Sequence, residues 1–139
     1  YTGYYQIVSK YKLGLMMELE ADRMMGLVLT QEIINIERQV VIEERRSRVE
    51  TSPRAKLNEQ VMAATYSNHP YRLPVIGWKH EIETLQLDDI IDFYNKWYAP
   101  NNAILIVSGD VDPLEVYELA KIYYGKLPFK KIPLRLRPS

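Results

Sequence analysis

The stretch 33–46, I-I-N-I-E-R-Q-V-V-I-E-E-R-R, constrains this chain more than any other. Set on a helix, Ile33, Ile34, Val40 and Val41 form an apolar stripe, and Glu37 and Glu44 fall on that same stripe. Seven residues turn a helix through about 700°, roughly 20° short of two full turns, so both carboxylates leave one face about two turns apart. Glu43, six residues from Glu37, points roughly 120° away. Burying ionised carboxylates costs on the order of several kcal/mol each unless a cation or hydrogen-bond donors meet them. A positive partner is therefore expected at this face. The pattern leaves two open: an arginine from a neighbouring helix, or Zn²⁺, for which one Glu with two His from elsewhere is a known catalytic ligand set.

Length and charge narrow the rest. The 139 residues suffice for one domain with a single core. Eighteen basic and eighteen acidic side chains cancel, which argues against a nucleic acid or an anionic membrane as the main partner. Without cysteine there is no disulfide framework, thiolate metal site or thiol nucleophile, and the compartment stays open. The longest apolar runs, such as 103–107, fall far short of the ~20 residues of a membrane span. The opening at Tyr1, without methionine or signal pattern, reads as the interior of a strand and so as a fragment.

Residues 1–9, rich in aromatic and β-branched side chains, read as a strand with Tyr5, Ile7 and Gly3 on one face. Over 12–29 the period turns helical, with Leu13, Met16, Met17, Met24, Leu27 and Val28 on the apolar side. Thr30 suits an N-cap for the glutamate helix, which is expected to reach about Val49. Thr51-Ser52-Pro53 ends that helix and caps a third one, running to Tyr66. Two prolines and a glycine make 69–78 a loop of fixed shape. A helix beginning at Asp88 stops before Pro100, and 103–108, A-I-L-I-V-S, reads as a buried strand. Asp112, Pro113 and Glu115 predict a capped helix start with Glu115 reaching back, and Gly125 its end. The basic, proline-spaced tail 128–139 reads as the start of an interdomain linker.

Five runs in order, L-E-A-D-R-M, E-R-Q-V-V-I-E-E, H-P-Y-R-L-P-V-I-G-W, Y-A-P-N-N-A and S-G-D-V-D-P, resemble the pitrilysin/insulinase (M16) family of zinc peptidases, in its bacterial branch resembling the mitochondrial processing peptidases. The resemblance implies that Glu44 is the third zinc ligand and that Glu37, seven residues before it, supports the site without binding metal. It also implies an α+β fold, an antiparallel sheet with helices packed on one face, incomplete at the N-terminus. Residues 1–127 would be the C-terminal portion of the family's N-terminal zinc-peptidase domain. The family's two histidine ligands and general base lie in an inverted H-x-x-E-H helix, which this sequence lacks and which is expected upstream of Tyr1. His69 and His80 are accordingly not read as ligands: His69 is expected to hydrogen-bond locally and His80 to be exposed. The implied parent is a zinc metalloendopeptidase acting on peptides, with a second homologous domain or subunit closing its chamber and the fragment alone inactive. Two other readings stand beside it: a non-catalytic scaffold half of the same fold, and Glu37 and Glu44 as plain structural ion-pair partners.

Overall fold

The computed structural model of the protein describes residues 1–134. Among the described residues its α-helices are α1 (Leu13–Met25), α2 (Gln31–Arg45), α3 (Pro53–Thr65), α4 (Lys79–Thr84), α5 (Leu87–Trp97) and α6 (Pro113–Tyr123). They fall into two compact units, one built from Tyr1–Val28 with Asp92–Pro133, the other on Leu29–Ile91. Among the described residues no helix is long and apolar enough to cross a membrane. Of the linker expected over 128–139, residues 135–139 lie outside the described residues.

The expected α+β fold is overturned: among the described residues the architecture is all-helical, with no strand and no antiparallel sheet. Both segments read as strands, 1–9 and 103–108, have the right composition. β-Propensity, however, expresses how side chains fit a half-buried pleated surface, and a strand exists only through the ladder bonds of a partner. Neither segment has that ladder, and Ile7, Ile104 and Ile106 are 100%, 89% and 83% exposed. Composition thus identified chain suited to a sheet without supplying the sheet.

In the first unit, α1 packs against α6 and buries Met17 and Ala21; Ala99 is buried in the same unit. The α6 start follows from its sequence, because the Asp112 carboxylate accepts from the backbone N–H groups of Leu114 (2.8 Å) and Glu115 (3.1 Å). Among the described residues Glu115 makes no bond back to the cap. A tyrosine cluster fastens segment 1–9 to this unit. Tyr4 and Tyr98 share a hydroxyl–hydroxyl hydrogen bond, the Arg23 guanidinium lies 3.4 Å over the Tyr4 ring, and the Tyr94 hydroxyl donates to the Arg23 carbonyl. Burial, reinforced by the Tyr4 hydroxyl, pushes the Tyr98 phenol up from 10.0 to about 12.

In the second unit α2 is central. The Thr30 hydroxyl caps it by accepting from Ile33 N–H, and the Ser52 hydroxyl caps α3 by accepting from Ala55 N–H, with Pro53 in the first helical turn. The α-helical part of α2 ends at Arg45, and the chain continues through one wider π-type turn, Arg46–Glu50, rather than as α-helix to Val49. The short α4, which the sequence pattern does not announce, buries Ile82 in its middle. Together with Ile34 on α2 this leaves a thin apolar core, so polar fastenings carry much of the unit's definition.

Two measurements test this description. Hydrogen exchange is expected to find the amides of 103–108 unprotected while those around Met17 and Ala21 are slow; protection along 103–108 would mean that those amides are paired. Because folded Tyr98 keeps its proton up to about 12 whereas the unfolded chain loses it near 10.0, its stabilising contribution is complete below pH 10.0 and disappears as the pH rises to about 12. Denaturant midpoints should therefore fall across that window and fall less steeply in Tyr98→Phe; an identical slope in the variant would contradict the assignment.

Candidate functional site

The α2 helix presents its side chains differently from the expected arrangement. Burial falls on Ile34 and Arg45, with Arg38 and Val41 partly covered on the same side. Each of Arg38 and Arg45 lies one residue beyond Glu37 and Glu44, about 100° round the helix. Glu37 is exposed and the Glu44 side chain is 41% exposed, next to Ile33 and Val40, themselves 42% and 55% exposed. The expectation of two acids on a buried stripe is thus corrected: they share one face two turns apart, and that face is open.

An arginine does meet Glu44, from its own helical run. Arg48 Nη2 lies 2.9 Å from Glu44 Oε1, with the Arg48 side chain 73% exposed. An exposed pair of this kind contributes about 0–1 kcal/mol, too little to explain the acid as a structural necessity. Glu43, on its separate azimuth, pairs with Arg46 at 2.8 Å, again in solvent. Glu37 forms no hydrogen bond or ion pair among the described residues.

Glu44 is an accessible oxygen donor of the kind zinc takes. Among the described residues, however, no three His, Cys, Asp or Glu side chains come together in a way that could hold a metal ion. These residues therefore fit the part of a single ligand and do not amount to a zinc site. Neither histidine changes that. His69 Nδ1 accepts from Tyr71 N–H at 3.2 Å, with its ring edge-on to Tyr71 at 4.4 Å, and His80 is exposed.

The residue that sequence reasoning missed is Arg45. It is 5% exposed, and its guanidinium spans Glu59 on α3 with both ends, Nη1 to Oε2 at 2.9 Å and Nη2 to Oε1 at 2.8 Å. Nη1 also donates to the Gly77 carbonyl at 2.8 Å, while Nε has no hydrogen-bond partner and lies 3.9 Å from Glu50 Oε1. Hydrogen bonding to Glu59 raises the Arg45 pKa, so the charge persists at every working pH. One signal was available: Arg45 stands four residues after Val41 and eleven after Ile34, the spacing of a core-facing position.

A family model described as Peptidase M16 inactive domain matches residues 84–139, a range that contains neither Glu37 nor Glu44. The zinc protease PqqE of Helicobacter pylori is 38% identical over 126 residues, 91% of this chain and 28% of the relative. The crystal structure of a protease from Helicobacter pylori superposes with a TM-score of 0.83 at 36% identity, covering 95% of this chain and 32% of that one. The ferredoxin protease FusC, solved in complex with Arabidopsis ferredoxin, superposes with a TM-score of 0.82 at 26% identity, covering 92% of this chain and 14% of its own. The chain thus spans less than a third of the length of each of these proteins. With five family-like runs in order and a matching backbone along nearly its whole length, the chain belongs to the peptidase M16 family.

Proposed function

We propose that this chain is part of a zinc-dependent endopeptidase in which Glu44 supplies one metal ligand and Glu37 supports it from two turns earlier on α2. The observation that carries the reading is the open α2 face, where two acids stand beside exposed Ile33 and Val40. A structural acid has a partner; Glu37 has none among the described residues, and Glu44 has only a surface arginine. An apolar rim around two available carboxylates suits a surface that another segment of a longer protein covers, bringing the remaining ligands. The relatives named zinc proteases support the metal and the reaction class. Zinc in such an enzyme activates water for peptide-bond hydrolysis. Of the residues seen here, Glu44 would offer its oxygen to the metal, and Glu37 would accept a hydrogen bond that fixes a neighbouring ligand.

In this reading residues 1–127 belong to the zinc-peptidase domain and 128–139 begin the connection to a second homologous domain or subunit. Peptides or small proteins are the substrates, in keeping with the ferredoxin bound by FusC. The second reading, a non-catalytic half of the same fold, has one observation in its favour: the matched family model describes an inactive domain.

Substitution separates the two. In the full-length protein, Glu44→Gln should abolish proteolysis and weaken zinc binding, and Glu37→Gln should weaken both less severely. Both variants should keep the wild-type unfolding free energy to within about 0.5 kcal/mol, because the acids lie on an open face. Full zinc content and activity in Glu44→Gln would contradict the ligand assignment and favour the non-catalytic half.

A further inference from the structure

We propose that Arg45 is the positioning residue for Glu44, fixing the azimuth of the last α2 turn so that the neighbouring carboxylate stands where a metal ligand must; this rests on the reading of Glu44 given above. Beyond Arg45 the α-helix gives way to the wider turn Arg46–Glu50, closed by Thr51 N–H to the Arg46 carbonyl at 3.0 Å. Glu44 therefore stands on the final regular turn, with no further α-helical turn to hold it from the C-terminal side. From that side the wider turn offers it only the exposed Arg48 pair, which leaves a lateral restraint room to act.

Arg45 provides that restraint from two elements at once. The Glu59 carboxylate on α3 takes both ends of the fork, and the Gly77 carbonyl takes a third bond. Gly77 adopts φ +87°, a backbone conformation in which side chains are strained, so the carbonyl is presented by a turn suited to glycine. On the same side of α2, Arg38 Nη1 donates to the Leu85 carbonyl at 2.6 Å, one residue past α4. Two arginines seven residues apart thus clamp one face of α2 while the acids immediately before them, Glu37 and Glu44, remain open on the adjacent face.

Magnitudes show why such a clamp bears on metal binding. With side chains, a helix has a radius of about 5–6 Å, so a rotation of about 10° displaces a side-chain end by about 1 Å. Zinc–ligand distances tolerate only about 0.2 Å. A restraint on helix rotation therefore acts directly on ligand geometry, and a rigid planar fork restrains rotation where a flexible point charge does not.

The test uses the full-length protein and zinc affinity, measured by chelator competition well below the unfolding transition. Arg45→Lys, which keeps the charge and loses the fork, and Glu59→Gln, which loses the charged partner, should each weaken zinc binding by about tenfold or more. Met17→Ala serves as the control: it destabilises the other unit's core and should leave zinc affinity at the wild-type value. Were Arg45→Lys to fail to fold, Glu59→Gln would decide. Folded variants that bind zinc as tightly as wild type, while Glu44→Gln does not, would overturn the positioning role and leave the ligand assignment intact. If Glu44→Gln itself binds zinc like wild type, or the wild type binds none, the ligand assignment fails and this inference with it.

Discussion

A guanidinium taken out of water has to be met almost completely, and the second unit is built around meeting one. Removing one partner from a buried ion pair costs about 3–5 kcal/mol, because the remaining charge is left uncompensated. Arg45 answers that demand by drawing α3, the Gly77 turn and the end of α2 to one point. Its Nε, without a hydrogen-bond partner and 3.9 Å from Glu50, is the one incomplete contact. With Ile34 and Ile82 as the unit's buried apolar side chains among the described residues, this ionic junction, rather than an extensive core, fixes how the helices meet.

The consequence for the acids is geometric. Because Arg38 and Arg45 occupy the fastened side of α2, Glu37 and Glu44 are displaced by about 100° onto the open side. Their availability and the fastening of the two arginines, Arg45 buried and Arg38 partly covered, are one arrangement seen from two faces. The expected roles are thereby exchanged: the buried charge on α2 is the cation Arg45, and the carboxylate that meets it is Glu59, not Glu37 or Glu44.

Local rules read the helices well. Thr30, Ser52 and Asp112 cap where side-chain chemistry says they should, since an N-cap depends on a handful of neighbouring atoms. Sheet formation was not legible in the same way, because a ladder belongs to two segments and residues 103–108 carry only one side of it. The glutamate pair was visible as a spacing, yet its exposure was not: Ile33 and Val40 look like core, and only the tertiary partners of Arg38 and Arg45 decide which way α2 faces. Arg45 itself resembled one more charge in a basic run. Nothing in a one-dimensional pattern announces that Glu59 and Gly77 will converge on it from fourteen and thirty-two residues away.

The similarity to zinc proteases and the open acidic face of α2 lead to one structural claim, that Glu44 touches the metal. The most direct measurement is an anomalous difference map at the zinc edge from crystals of the full-length protein loaded with zinc. The account requires a peak about 2.0–2.2 Å from a Glu44 carboxylate oxygen, with Glu37 close by and not coordinated. A zinc peak elsewhere in the molecule, with Glu44 still paired to Arg48, would contradict it.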